Sequence, residues 1–151
     1  VTIRERREAA PVSDFAAEPF APDDPRQREL LDRYCKAFES YDVEALVSLL
    51  REDAVMSMPP FAWWVRGRDV LRAMWVEAGN PCEGGRLIPA GAANGCPAFG
   101  QYRPDGGRLR GFALVVIELV DGRIAGMTNH LDADRLFPLF GLPSEISEFE
   151  R

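Results

Sequence analysis

Residues that could carry acid–base chemistry are few and scattered in this chain. His130 is the only histidine, and it lies beside Asn129 and close to Asp132 in a predicted strand. A general acid or base needs a ligand and a partner within hydrogen-bond reach. Strand alternation places Thr128, His130 and Asp132 on one face and Asn129 on the other. Asn129 and His130 therefore should not both point into a pocket unless a bulge intervenes, and the pattern favours a structural or surface histidine over a catalytic one.

The carboxylates are equally ambiguous. Glu118 interrupts a very apolar predicted strand and shares a face with Leu114 and Val116. Glu118 lies either near a solvent-exposed edge of the sheet or inside the fold, where burial would raise its pKa. Glu52 and Asp53 fall in a helix–strand turn, which is typical of solvated side chains. The sequence contains no defensible Ser/Cys–His–Asp set, phosphate-binding glycine loop or HExxH motif.

The pattern in the first half of the chain predicts three helices and one strand. Asp24-Pro25 is a helix start with proline in the first turn, and it predicts a helix over 25–40. Asp42 predicts the cap of a second helix over 43–50. An alternating strand over 54–58 follows, and apolar spacing predicts a third helix over about 69–78.

The second half changes to a period of two. Strands are predicted over 85–93, 97–103, 109–120 and 123–132. Asn94-Gly95 and Asp121-Gly122 are hairpin turns, because both turn positions need positive φ. Helices followed by long antiparallel strands predict an α+β fold, a curved antiparallel sheet wrapped around an N-terminal helix layer.

Composition narrows the class of protein. The 151 residues fit one domain, and the net charge of −6 argues against direct nucleic-acid binding by the folded body. Three cysteines without tight spacing, Cys35, Cys82 and Cys96, predict reduced thiols rather than disulfides or a zinc site. No run approaches a membrane span and no signal peptide is evident, so we expect a cytoplasmic location and no membrane partner.

Five stretches carry a family resemblance: DDPRQRELLDRYCKAFESYDVEALVSLLREDAVMSMPP, RGRD, ANGCPAFGQYRP, DGRIAGMTNHLD and LFPLFGLP. Together they cover roughly residues 22–143. They resemble the SnoaL-like domain, of the NTF2-like superfamily, fused behind the DNA-binding regions of actinobacterial extracytoplasmic-function (ECF) sigma-70 factors. The resemblance implies a cone with an internal pocket. It also implies that the sequence is part of a longer one.

The pocket and contact residues follow from that resemblance. The implied pocket lining is Tyr34, Phe38, Met56, Met58, Trp63, Trp64, Trp75, Phe99, Gln101, Phe112, Glu118, Asn129 and His130. Most are apolar, and plain core packing is the competing interpretation for each aromatic or methionine. The last apolar segment either plugs the cone or contacts a neighbouring domain through Leu136, Phe137, Leu139, Phe140 and Leu142.

The implied organisation is a linker or arm over 1–24, a SnoaL-like domain over 25–143 and a tail over 144–151. Within the arm, Phe15 and Phe20 could dock on a surface. The implied partners are the sigma factor's DNA-binding regions and RNA polymerase, with DNA reached only through those regions. A homodimer and a small apolar ligand are further candidates, and we expect no cofactor and no metal.

Besides a plain dimerisation module, two functions remain open at this point. The first is a non-catalytic regulatory domain that modulates promoter binding. The second is a SnoaL- or ketosteroid-isomerase-like acid–base enzyme acting on an apolar ketone, epoxide or polyketide. The enzyme requires a pocket carboxylate, such as Glu118 or Asp53, to meet Tyr34, Gln101 or His130.

Overall fold

A computed structural model of the chain describes residues 17–77 and 83–147. In chain order the elements are α1 Pro25–Glu39, α2 Val43–Ser48, β1 Leu50–Ser57, β2 Trp64–Arg66, α3 Arg68–Glu77, β3 Arg86–Ala93, β4 Cys96–Asp105, β5 Arg108–Val120, β6 Arg123–His130, α4 Ala133–Leu136, a 3₁₀ helix Phe137–Phe140 and β7 Glu145–Ser147. The predicted α+β class, with helices before a curved sheet, is confirmed.

The predicted local signals are present at the helix starts and hairpins. The Asp24 carboxylate accepts from the Arg26 backbone N–H at 2.9 Å, and Asp42 does the same for Ala45 at 3.0 Å. Asn94 and Asp121 both have a φ of 51°. These contacts satisfy backbone donors that a helix start leaves without partners, and the turns close the two predicted hairpins.

The seven strands within residues 17–77 and 83–147 form one sheet, in the order β2-β1-β6-β5-β4-β3, with β7 paired to β5. The sheet is mixed, because β1 runs parallel to β6 while the other pairs are antiparallel. The predicted start of β1 at residue 54 was late. The Leu49 carbonyl already accepts from the Ile124 N–H at 2.8 Å, so sheet pairing ends α2 early.

Each face of the sheet carries its own apolar cluster. On the inner face, α1, α2 and α3 pack against alternate residues of β5, among them Ala113, Val115 and Ile117. On the outer face, the segment from α4 to β7 packs against the intervening residues, including Leu109 and Leu114. Sequence analysis did not predict β2, α4 or β7, which are only three or four residues long.

A strap formed by residues 17–21 crosses the end of the sheet before α1 begins. The Glu18 N–H donates to the Leu119 carbonyl at 2.7 Å, and the Phe20 N–H donates to the Gly95 carbonyl at 2.8 Å. Phe20 packs against the inner cluster. This part of the predicted arm is therefore bound to the domain, whereas residues 1–16, with Phe15, lie outside the described residues.

Candidate functional site

Aromatic side chains fill the centre of the inner face. Tyr34 of α1 lies with its ring centroid 5.9 Å from that of Phe99 and 6.5 Å from that of Phe38. Tyr34 and Phe99 are buried, while Phe38 is half-buried. Tilted rings at these distances stabilise a packed core. The structure thus brings these three pocket candidates together, mainly as core.

Two buried amides share the inner face with these rings. Gln101 pairs in register with Ala113, and Asn129 pairs with Val115, both of which belong to the inner cluster. The Asn129 Nδ2 donates to the Ser57 carbonyl at 3.2 Å. That bond joins β6 to β1, so Asn129 has a structural partner as well as a place inside the cone.

The methionine and tryptophan candidates separate between the faces. Met56, Trp63 and Trp75 are partly buried against the inner cluster. Trp64 of β2 pairs with Ser57 of β1. The neighbouring pair, Val65 and Met56, points to the inner face. Since successive side chains of a strand alternate between faces, Trp64 points to the opposite face. Met58 is half-buried just beyond β1. The adjacent Trp63 and Trp64 therefore serve different surfaces.

Phe112 reaches the inner face through a bulge. Gln101 pairs with Ala113, but the next residue of β4, Tyr102, pairs with Gly111, so Phe112 is the extra residue of β5. Phe112 packs against the inner cluster, and the guanidinium carbon of Arg103 lies 3.3 Å from its ring centroid. Arg103 was not among the predicted pocket residues, because no sequence signal marks the bulge.

Glu118 and His130 lie on the outer face, opposite the pocket that we expected them to line. The reason is strand alternation: Ile117 and Leu119 point inward to the helices, so Glu118 must point outward with Val116. With Cys96, Thr128 and the strap residues Ala17–Pro19, these side chains line a cavity of about 550 Å³. Burial lowers the pKa of His130. His130 thus stands outside the cone.

A second cavity, which we call the outer groove, shares His130 with the first. Its volume is about 490 Å³, and its lining is Pro59, Pro60, His130, Leu131, Asp132, Arg135, Leu136 and Leu139. Leu139 is 77% exposed, and Phe61, which follows Pro60, is 67% exposed. A concave apolar surface with exposed large side chains at its margin can bind an apolar partner.

The LFPLFGLP segment divides between burial and exposure. Phe137 and Leu142 are buried, and Phe137 packs 5.3 Å from Tyr102 between ring centroids. The Tyr102 hydroxyl donates to the Pro143 carbonyl at 2.7 Å, and burial raises the pKa of Tyr102 to about 12. Leu136 and Phe140 are half-buried, which leaves Leu139 as the member most available to a partner.

The two described thiols are protected. Burial, helped by Glu39 and Asp32, raises the pKa of Cys35 to about 12. Burial, and then the charge of Glu118, raises the pKa of Cys96. A raised pKa leaves little thiolate at neutral pH, so neither is suited to nucleophilic catalysis. Cys82 lies outside the described residues, and the described part of the chain holds no cluster suited to a metal ion.

Sequence comparison assigns the family. The model of the SnoaL-like domain matches residues 31–127. The chain belongs to this SnoaL-like family. It is also 35% identical over 146 residues to the ECF RNA polymerase sigma factor SigG of Mycobacterium tuberculosis, a match that covers 95% of this chain and 39% of that protein. The resemblance inferred from the sequence motifs is thereby confirmed.

Solved structures show the same fold for this SnoaL-like domain. An NTF-2 like protein of unknown function from Burkholderia xenovorans aligns with a TM-score of 0.59 at 20% identity, over 69% of this chain and 80% of that one. A LEH-like epoxide hydrolase of Mycobacterium tuberculosis aligns with a TM-score of 0.59 at 17% identity, over 78% and 90%. At these identities the likeness concerns the fold alone.

None of the helices in residues 17–77 and 83–147 combines the length and the apolarity needed to span a membrane.

Proposed function

We propose that this chain is the non-catalytic regulatory domain of an ECF sigma factor. The observation that carries the proposal is the 35% identity to SigG along 95% of the chain. The chain spans about two-fifths of that relative, so we place the promoter-binding regions before it in a longer protein. In this proposal the domain acts in the cytoplasm and reaches DNA only through those regions, and residues 25–143 form its regulatory body.

The outer groove is the contact surface in this proposal, and its occupant is the DNA-binding part of the same chain. Two observations support that occupant. Ala17, the first described residue, lines the cavity that adjoins the groove through His130, so the described chain begins on the same face as the groove. Leu139, which lines the groove, and Phe61, which follows the lining residue Pro60 in the chain, are largely exposed and available for apolar contact.

In vitro transcription with the full-length protein tests this contact. We expect Leu139→Ser and Phe61→Ser to change promoter binding or transcript yield by about fivefold or more, as loss of an apolar interface anchor would. Val76→Ser is the matched control, because Val76 is 63% exposed but lies on α3, away from the groove. If the groove variants behave like the Val76 control, the docking proposal fails.

The same variants distinguish the two partners. The isolated DNA-binding regions, supplied in trans, should bind this domain, and Leu139→Ser should weaken that binding. If binding in trans is unchanged while transcription changes, RNA polymerase is the partner at the groove instead. An immunoblot of the host lysate with an antibody to this domain tests whether the domain belongs to a longer protein. A band at 16.8 kDa, the mass of this chain, would contradict that part of the proposal.

The alternative is an acid–base enzyme acting on an apolar ketone, epoxide or polyketide, and the fold shared with a LEH-like epoxide hydrolase favours it. Against it, no carboxylate and no histidine is buried in the described ranges; beside the tyrosines and Cys96, the buried polar side chains are the hydroxyl of Ser57 and the amides of Gln27, Gln101 and Asn129. An amide neither takes up nor releases a proton near neutral pH, so it cannot serve as the base. Turnover of such a substrate that is lost in Asn129→Ala or Gln101→Ala would favour the enzyme.

The domain can also bind a small apolar ligand in the cone, and such a ligand regulates only if it prefers one of two states of the sigma factor.

A dimerisation module is the remaining hypothesis. A monomer in sedimentation velocity at high concentration would remove that hypothesis, and it would leave the regulatory proposal in place.

A further inference from the structure

Trp63, Arg103, Phe112 and Leu131 are partly exposed residues at one end of the inner face, which we call the cone mouth. His130 of β6 pairs with Leu114 of β5. The next residue, Leu131, therefore lies beside Ala113, which precedes Leu114 and follows the bulge at Phe112. The Leu131 N–H donates to the Pro59 carbonyl at 2.9 Å, and the Met58 N–H donates to the Trp63 carbonyl at 3.3 Å. These bonds bring the loop that carries Trp63 to the same end of the sheet.

Arg103 is a cation placed on this apolar surface. β4 has no inserted residue, so Phe99, Gln101 and Arg103 share the inner face. The Arg103 side chain is half-buried and stacks on Phe112, with 3.3 Å between the guanidinium carbon and the ring centroid. Stacking on an aromatic face holds a guanidinium flat and stabilises part of its charge.

The stacking leaves hydrogen-bonding capacity unused. The buried Nε of Arg103 has no acceptor among the described residues, and no described carboxylate forms an ion pair with Arg103. Its two neighbours in the same hairpin differ: Arg108 pairs with Glu145 at 3.1 Å, and Arg110 pairs with Asp105 at 3.8 Å. An arginine oriented by stacking but lacking an anion is suited to bind one from outside.

The surroundings define the rest of the ligand. Trp63, Phe112 and Leu131 all pack against the inner cluster and remain partly exposed. A ligand at the cone mouth would therefore meet one planar cation and several apolar surfaces. Pockets of this composition bind an apolar body and orient it through a small number of polar contacts.

We propose that the cone mouth binds an organic anion with an apolar body, and that Arg103 holds its carboxylate or sulfonate group while Phe112, Trp63 and Leu131 contact the body. This inference rests on the cone ligand of the proposed function and names its chemical class. It is independent of the contact at the outer groove.

Two fluorescent probes with the same body provide the test. 8-Anilinonaphthalene-1-sulfonate carries an anionic group, and N-phenyl-1-naphthylamine is the same skeleton without it. The wild-type chain should bind both. Arg103→Met should weaken binding of the sulfonate by about tenfold, the size expected when a charged hydrogen-bond partner is lost. The same variant should leave the affinity for the neutral probe within about twofold of the wild type.

Control variants assign the effect to Arg103. Arg108→Met removes a neighbouring arginine that already has a carboxylate partner, so this variant should bind the two probes like the wild type. Arg103→Lys should retain part of the preference, since lysine keeps the charge but not the planar fork. Decanoate should displace the neutral probe from the wild type better than decanol does, and this difference should vanish in Arg103→Met.

Equal sulfonate affinity in wild type and Arg103→Met would overturn the inference, and so would an equal loss of both probes. If the wild type binds neither probe, the inference also fails. In that case the regulatory proposal still stands or falls on the transcription assay, because its variants at Leu139 and Phe61 do not lie at the cone mouth.

Discussion

Phe137 lies directly against Gly111: a Cβ atom at residue 111 would stand 2.5 Å from Cε2 of the Phe137 ring. The Gly111 N–H also donates to the Ser144 carbonyl at 2.8 Å, just before β7. Glycine is therefore required here for close approach of the C-terminal segment to β5, and Phe137 is only 2% exposed as a result. This contact attaches the segment that carries the exposed Leu139.

Gly111→Ala should displace Phe137 and destabilise the domain by about 1–3 kcal/mol, the usual cost of overpacking a core. Chemical denaturation gives the free energy of unfolding. In the background of Phe137→Leu, which removes the ring edge, the same alanine should cost clearly less. Equal costs in the two backgrounds would show that the ring does not limit residue 111.

The strap should depend on Gln27, which is buried at 7% exposure. Its Oε1 accepts from the Ala21 N–H at 2.8 Å, and its Nε2 donates to the Pro19 carbonyl at 3.1 Å. Gln27→Leu leaves both backbone groups without partners, which should cost about 1–3 kcal/mol. Hydrogen exchange of the Glu18 and Phe20 amides, bonded to Leu119 and Gly95, should accelerate.

A matched control for the strap is Arg28→Leu, at an exposed position of the same helix. It should leave exchange at both strap amides unchanged. Slow exchange retained in Gln27→Leu would mean that the backbone bonds and the packing of Phe20 hold the strap without the glutamine.

His130 should make stability depend on pH. Burial lowers its pKa from the ordinary value of 6.5, so below that value the unfolded chain binds more protons than the folded one. The contribution is present at higher pH and is lost as the pH falls. The titratable or charged groups that line the adjoining cavities are Glu18, Cys96, Glu118, Asp132 and Arg135.

The measurement is the melting temperature between about pH 7.5 and about pH 5.5, on either side of the ordinary histidine pKa. The wild type should lose more on acidification than His130→Gln, which cannot take up a proton in this range. Comparing the two chains removes the background from carboxylates common to both. Identical pH slopes would show that His130 titrates normally in the folded state.

Much of the fold could be predicted because its signals are local. Asp24 and Asp42 are recognisable as caps from neighbouring residues alone, and Asn94-Gly95 and Asp121-Gly122 specify hairpins through their own backbone preferences. The period of the apolar residues gave the helices and the long strands. Motifs that resemble those of the family, such as ANGCPAFGQYRP, then indicated which α+β fold these elements form.

The assignment of residues to faces and sites could be predicted only in part. Alternation correctly separates Asn129 from His130, but it does not say which face meets the helices. Both faces of β5 are buried, because α1–α3 cover one and the C-terminal segment covers the other. The polarity pattern along β5 therefore could not show that Glu118 points outward.

By itself, the sequence of this protein determined the helix starts, the hairpins, the α+β class and the family, since each rests on short-range chemistry or on contiguous motifs. Only the tertiary structure decided that β1 pairs in parallel with β6, that a bulge turns Phe112 inward under Arg103, and that Phe137 is buried while Leu139 is exposed. The physical reason is that register, bulges and surface coverage depend on contacts between residues distant in the chain, which no local pattern encodes.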